Sequence, residues 1–561
     1  MKRPLPTKHL LALFIILVMG MGTIWASDTK DDYTNSYFTI ESLVDNNNIE
    51  MSIPPGVTSE ELTSVSYSTD GTNWTTIEID DTDQSFTVVL NQNEKLYFKG
   101  LGRQYATYDA PSYCHFLASE DFMVYGNIMS LLYGDDFASQ TELPEGTDNT
   151  FSALFQSNDH LVSVENLVLP ATVLTPYGYS FMFNGCKKLT STPTLPATTM
   201  SDHCYFKMFM NCYLLTTVSE LPATAMARSC YSYMFKNCRS LVTPPELPAT
   251  TLATSCYNEM FSTCPSLTVA PAIPATTAAD YCCYGMYYQC GSLSTAHELR
   301  PMTMALSCYA YMFADCTSLT EAPDLPATTL ADSCYQTMFA GCLSLSSAPS
   351  QLPATTLATS CYELMFFNCP LLVEAPELPA TTLTDYCYAA MFDFCSSLRK
   401  APVLPAPVLT LHCYLDMFEG CTSLHEIVCL ATDISAPNCT SGWVRDIASS
   451  GTLYKAPEME NWIPNSESGI PVGWTVANYD GMTEQQDEVV AYPNPVKDKF
   501  HLNGRDIQSV KVFDVQGRLV HSEECGHANQ VELDLQGYSK GMYSVSIQSE
   551  GRNAIQKIIK N

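Results

Sequence analysis

Between residues 159 and 440 the apolar positions of the chain return in a fixed cycle of 26 residues. A Leu-Pro-Ala-Thr run opens at Leu169, Leu195, Leu221 and Leu247, becomes Ile273, degenerates at Leu299, returns at Leu325, Leu352, Leu378 and Leu404, and leaves a trace at Leu430. Only the step from 325 to 352 is longer, 27 residues, with Gln351 read as the inserted one. Counted from that leucine, most units carry cysteine at +9, tyrosine at +10, methionine at +13, an aromatic residue at +14 and a second cysteine at +17. The unit opened by Leu325 shows them as Cys334, Tyr335, Met338, Phe339 and Cys342. A unit this short cannot bury its own apolar face, so fixed offsets imply columns of equivalent residues in stacked units, about eleven of them.

Within a unit, Leu319–Leu325 has the spacing of a short parallel strand. Prolines such as Pro323, Pro376 and Pro402 remove ladder donors and limit the strands to about three residues. Cys334–Phe339 reads as one helical or 3₁₀ turn on the opposite side. The expected fold is a leucine-rich-repeat-like solenoid of short parallel strands and helical turns, flanked by small β-domains.

The flanks lack the cycle. From 28 to 158, alternating stretches at Val65–Tyr67, Thr75–Ile79, Phe86–Leu90 and Lys95–Phe98 predict a β-rich domain that caps the solenoid and leads into it. Trp443, Trp462 and Trp474 mark a C-terminal cap over 441–476, and a polar linker follows at 477–487. Residues 488–561 read as a β-sandwich, with Tyr492-Pro493-Asn494-Pro495, Val510–Val515, Gly517, Gly541 and Tyr543 as its landmarks. At the other end, Lys2, Arg3 and Lys8 precede an apolar run from Leu10 to Met19, and small residues lead to Ala26. Residues 1–26 therefore read as a secretory signal peptide, because the apolar run is shorter than the roughly 20 residues of a spanning helix.

Composition changes this picture in one respect. The net charge is −32, with 59 acidic against 27 basic residues, which argues against nucleic acid as a partner.

The pattern Cys-Tyr-x-x-Met-Phe-x-x-Cys-x-Ser-Leu resembles the repeat signature of BspA-like leucine-rich-repeat surface proteins over about Val162–Val476, with Cys in place of Ile and Met in place of Ala. The tail from Glu488 resembles the C-terminal sorting domain of the type IX secretion system. The first resemblance implies adhesion to host or bacterial surface proteins or glycans. The second implies contact with the type IX machinery, passage across an outer membrane, removal of the tail, and release or attachment at the cell surface.

Of the 24 cysteines, all but Cys114, Cys283, Cys429 and Cys525 fall in the two columns. The +9 column comprises Cys204, Cys230, Cys256, Cys282, Cys308, Cys334, Cys361, Cys387, Cys413 and Cys439. The +17 column comprises Cys186, Cys212, Cys238, Cys264, Cys290, Cys316, Cys342, Cys369, Cys395 and Cys421. Neither has zinc-ligand spacing. Both readings of them stay open at this point: free thiols packed as small hydrophobes, or disulfides permitted by export. In the second case the ends of the array favour bonds between units, such as Cys186 with Cys204.

No catalytic motif emerges: His-Glu-x-x-His, Gly-x-Ser-x-Gly, the P-loop and Gly-x-Gly-x-x-Gly are all missing. No cofactor is expected. Asp80, Asp81 and Asp83 read as a polar turn, with calcium as the alternative. One column has functional interest. Immediately before the signature residue stand Glu220, Glu246, Glu298, Asp324 and Glu377, interrupted by Ala272 and Gln351. Like charges one strand spacing apart repel, so a basic partner or cations would offset them; a solvated face is the plainer reading. The sequence therefore points to an exported, non-enzymatic surface protein that binds through its solenoid. A passive structural component is the alternative, and an enzyme with a site in the N-terminal domain is the least favoured.

Overall fold

The computed structural model describes residues 32–80, 82, 84–107, 112–459, 462–465, 467–479, 490–492, 499–515, 518–549 and 552–560. Two compact units divide between Ala477 and Asn478. The signal-like residues 1–26, Asp81 and Asp83, most of the 477–487 linker, Pro493, Asn494, Pro495 and Gly517 lie outside the described residues.

The first unit begins with strands β1 (Phe38–Ser42), β2 (Asn47–Ile53), β3 (Leu62–Ser68), β4 (Thr75–Glu78), β5 (Gln84–Leu90), β6 (Lys95–Gly102), β7 (His115–Ala118) and β8 (Phe122–Asn127). One sheet runs β8-β1-β6-β3-β4 and a smaller one β5-β2-β7. Alternation makes both possible: β2 buries Asn47, Ile49, Met51 and Ile53 and turns the residues between them outward. Rings hold the sheets together, with Phe116 of β7 lying 4.9 Å from Phe98 and 5.4 Å from Phe38 between ring centroids. Strand β8 then pairs in parallel with β9 (Leu161–Ser163) and β10 (Leu167–Val168). The N-terminal domain thereby supplies the strand on which the solenoid is laid.

The repeating half of each unit is not helical. In the Leu325 unit the N–H groups of Cys334, Gln336, Met338, Ala340 and Cys342 donate to the carbonyls three residues back. Those of Ser333, Tyr335, Thr337, Phe339 and Gly341 donate instead to Thr359, Cys361, Glu363, Met365 and Phe367 of the next unit. A 3₁₀-helix would spend every N–H within itself; here every second one runs along the stack. The geometry requires a left-handed residue at each fourth position, and Ser333, Thr337 and Gly341 have φ of 53°, 60° and 71°. The result is a rung of consecutive β-turns in which alternate turns place a left-handed residue third, where a type II turn needs it. The expected helical turn is corrected accordingly. Among the described residues the helical elements are a 3₁₀ turn at Tyr33–Asn35 and a single α-helical turn at Ser130–Tyr133, both before the array.

A rung of the same kind already stands at residues 149–158, where Asn149, Ala153 and Ser157 are left-handed and Phe151 and Phe155 donate to Gly178 and Met182. The array thus starts one rung before the expected boundary at 159, without the leucine signature.

The strand side is also thinner than expected. In place of a three-residue strand at Leu319–Leu325, the Leu325 unit makes single parallel bridges at Glu321 and Thr329, on either side of Pro323 and Pro326. Longer pairing appears where proline is missing: β12 (Glu426–Cys429) matches β13 (Thr452–Lys455) residue for residue, and β14 (Thr475–Asn478) follows β13 in the same sheet. β11 (Lys400–Leu404), which contains Pro402, meets β12 with a register shift. Two readings of register change. Gln351 pairs with Glu377 and is in column, so the extra residue lies between Ser347 and Gln351. Leu404 pairs with Cys429, so Cys429, rather than Leu430, fills the leucine column of the last unit.

Tyrosine and phenylalanine columns run through the core as stacked rings, with Tyr335–Tyr362 at 5.7 Å and Phe339–Phe366 at 5.6 Å. At the C-terminal end one indole closes both columns. Trp443 stacks on Tyr414 at 6.5 Å, meets Phe418 at 6.4 Å, and is backed by Trp462 at 5.3 Å. Its Nε1 donates to the Gly469 carbonyl at 3.0 Å, which satisfies the one polar atom so buried.

The second unit is a five-stranded antiparallel sheet of β15 (Val490–Tyr492), β16 (Lys499–Phe513), β17 (Leu519–Asp534), β18 (Gly541–Ser549) and β19 (Arg552–Lys560). β16 pairs with β17 along its length, and its other edge is taken first by β15 and then by β18. Irregularities between Asn503 and Ser509 let one bent sheet enclose Phe500, Leu502, Val510, Val545 and Ile547. All five strands are joined by hydrogen bonds into that one bent sheet.

Candidate binding surfaces

Both cysteine columns are buried and every thiol is free. The +17 thiols share one arrangement: each donates to the carbonyl of the +14 aromatic residue one unit earlier, as Cys342 does to Phe313 at 3.1 Å and Cys369 to Phe339 at 3.2 Å. That carbonyl already accepts its local turn bond, Cys316 N–H to Phe313 O at 3.1 Å, so the thiol takes the second lone pair. The ladder extends from Cys186 on Phe155 to Cys421 on Phe392. In the +9 column, Cys256, Cys282 and Cys413 aim their thiols along the stack at the next cysteine's carbonyl, 3.9 Å away. Burial pushes the column thiols up, to about 12 for Cys186, Cys204, Cys334 and Cys342, except at Cys282, where the side chain of Cys283 draws the thiol down. Such groups pack and cap; as neutral thiols they are poor nucleophiles and poor metal ligands.

Cys283 replaces the column tyrosine in its unit, and Tyr287 replaces the column phenylalanine. Both are fully buried, and the Tyr287 hydroxyl has no hydrogen-bond partner among the described residues. The larger side chain at +14 sits beside the smaller one at +10, as volume conservation demands.

Glu220, Glu246, Glu298, Asp324 and Glu377 are all exposed, each next to a buried column residue. Arg300 approaches Glu298 at 3.5 Å. A further column runs through Lys400, four residues before Leu404, and its bridge partner Glu426 in the next unit, and the two pair at 2.8 Å. In the N-terminal domain, the Asp80 carboxylate accepts the Thr82 hydroxyl at 2.5 Å.

The turn rungs create a further surface. Their left-handed positions at +8, +12 and +16, with the +11 and +15 residues between them, lie outside the columns and are mostly half-buried, with Ser180, Ser232, Ser262, Ala310 and Thr337 buried. These vary from unit to unit while the columns stay nearly constant: position +12 is Phe181, Lys207, Tyr233, Glu259, Gly285 and Tyr311 in successive units. Lys207 lies among three rings, 4.8 Å from Phe206, 5.2 Å from Tyr233 and 5.5 Å from Phe181. Lys236 pairs with Glu259. A signal for these positions was present in the sequence: +16 is Gly185, Asn211, Asn237, Asp315, Gly341 and Asn368 in six units, residue types that tolerate left-handed backbone.

In the second unit, Gly541 opens β18 with φ of 148°, and the buried Tyr543 donates its hydroxyl to the Ser539 carbonyl at 2.7 Å. Tyr492 ends β15.

Two families match this chain. The "BspA type Leucine rich repeat region" matches in six copies over residues 154–294 and 307–436. The "Secretion system C-terminal sorting domain" matches residues 490–561. The chain contains a BspA-type leucine-rich-repeat region and a C-terminal secretion sorting domain. It is a secreted, surface-located protein of the adhesion type. No group of three or more His, Cys, Asp or Glu side chains is arranged to hold a metal ion among the described residues. No curated protein matches the sequence. Among solved structures, the "Crystal structure of TLR13-ssRNA13 complex" is similar over 53% of this chain and 39% of that chain, at 13% identity and a TM-score of 0.24, too slight a likeness to bear on function. No helix among the described residues is long and apolar enough to cross a membrane.

Proposed function

We propose that the BspA-type array is the adhesive element, and that it meets a protein or glycan partner through its variable turn face and its exposed carboxylate column. One observation carries this reading: residues at the turn positions, most of them half-buried at the surface, change from unit to unit, while those in the cysteine, tyrosine and phenylalanine columns hardly change. Packing constrains the columns, and a rigid scaffold with variable exposed positions is the usual form of a binding surface. In this reading residues 1–26 are a signal peptide, 28–158 seat the array, 441–476 close it, and 477–487 link it to a sorting domain at 488–561. That domain engages the type IX machinery and is then removed.

The test is capture of host-matrix and bacterial-surface partners by the exported chain, compared with a variant carrying Glu220→Gln, Glu246→Gln, Asp324→Gln and Glu377→Gln. A loss of roughly tenfold in affinity is expected if the carboxylates meet a basic partner. Undiminished capture would leave that column as a solvated face and assign binding to the turn side.

A further inference from the structure

Basic residues are unevenly spread along this acidic chain. Residues 187–239 hold Lys187, Lys188, Lys207, Arg228, Lys236 and Arg239 against only Asp202 and Glu220, whereas 240–299 hold four acidic residues and no Lys or Arg. Most of these cations are already engaged. Lys187 pairs with Asp159 at 3.0 Å, Lys188 with Asp121, and Lys236 with Glu259, while Lys207 is enclosed by rings.

Arg239 is different. Its guanidinium lies over the Tyr213 ring at 4.6 Å, and its Nε donates to Asn237 Oδ1 at 3.0 Å. Asn237 is itself fixed, donating through Nδ2 to Asn211 Oδ1 at 2.8 Å. The stack and the bond set the plane of the guanidinium, and its two terminal nitrogens have no acceptor among the described residues. Arg239 borders an open cleft of about 550 Å³ that is also lined by Asn211, Lys236, Asn237, Thr263 and Gln289. Asn211, Asn237, Thr263 and Gln289 occupy one left-handed column, with φ between 58° and 64°.

We propose that this cleft binds an acidic glycan, with the Arg239 fork on a carboxylate or sulfate and the amide and hydroxyl side chains on the sugar hydroxyls; this rests on the reading of the array as a binding surface. A held planar guanidinium with two free nitrogens suits a bidentate oxyanion. The amide-rich lining suits hydroxyls more than a peptide, whose binding centres on buried apolar or aromatic anchors.

Titration of the full chain with dextran sulfate, polygalacturonate, neutral dextran and polyglutamate tests the proposal and tells the two anions apart. Binding of one or both acidic polysaccharides is expected, with neutral dextran silent. Arg239→Gln should weaken it about tenfold, and Arg239→Lys, which keeps the charge and loses the fork, about threefold. Gln289→Ala, on another wall of the cleft, should weaken it about threefold and serves if the Arg239 variants melt early. Equal binding by wild type and variants, or binding of polyglutamate alone, overturns the proposal. Adhesion of protein-coated beads to cells, measured on the same preparations, separates the two readings. Adhesion without acidic-glycan binding removes the cleft and leaves the adhesive array standing. Glycan binding that Arg239→Gln abolishes, without adhesion, does the reverse.

Discussion

The Cys342 thiol fills a core position and donates to the Phe313 carbonyl, so it replaces a packing contact and a hydrogen bond with one small side chain. The same holds down the ladder, and it makes oxidation or alkylation of these residues incompatible with the stacked state. With 24 cysteines in the chain and all but Cys525 buried, a water-soluble thiol reagent should modify one residue per folded full-length chain and all 24 after denaturation. Several rapidly labelled thiols in the folded chain would contradict the buried columns. Like Asp416, Asp393 is one of the carboxyls of the array that burial shifts upward. It is 8% exposed, its Oδ1 has no partner among the described residues, and burial, with Glu419 and Asp416 nearby, pushes its carboxyl up to about 7, against the weaker opposing effect of Arg445. The folded state therefore holds this proton between the unfolded value of 3.8 and about 7, where the unfolded chain has lost it, and stability falls as pH rises through that window. Asp393→Asn, which mimics the protonated acid, should melt higher than the wild type at pH 8, with the advantage gone by pH 4. An equal advantage at both values would mean that ionisation is not the cause.

At the scale of the element, the β-turn rung decides how far the sequence could be read. Cys334, Tyr335, Met338, Phe339 and Cys342 bring apolar residues round nearly every four positions, which is also the spacing of a helical face, so periodicity located the buried columns correctly and misassigned the backbone between them. The discriminating residues are the left-handed ones, and Ser333 and Thr337 are types that rarely announce such a backbone. Proline told more: Pro323 and Pro326 explain why only Glu321 and Thr329 bridge. The surface was less legible than the core. The carboxylate column could be read because it sits beside the signature, whereas Arg239 becomes distinctive only through Tyr213 and Asn237, contacts made across units. The rung also predicts its weak points. Gly341 is left-handed, and a Cβ there would meet the Asp315 carboxylate, so Gly341→Ala should cost about 1–2 kcal/mol, read as a lower denaturation midpoint. An unchanged midpoint would show that the rung tolerates a side chain there by rearranging.

For the whole molecule, the recurring bond from one N–H to the carbonyl 25 residues on, or 26 across the insertion near Ser350, makes one unit interchangeable with the next. Excising residues 308–333 joins Ser307 to Cys334 in the same register. The shortened array should stay folded, with a melting temperature within a few degrees of the parent, because each unit contacts only its neighbours. Removing half as many residues should abolish cooperative melting, since buried and exposed columns would be thrown together. The alternating bond pattern also bears on how the chain survives its own route of export. An unfolded chain with 24 thiols has an enormous number of wrong disulfide pairings open to it in an oxidising compartment. Because almost every contact that buries a thiol in the array is made within about one unit of sequence, loop-closure costs are small and the contact order is low, which favours fast folding. Rapid folding of this kind would shorten the time for which the thiols stand open to an oxidant.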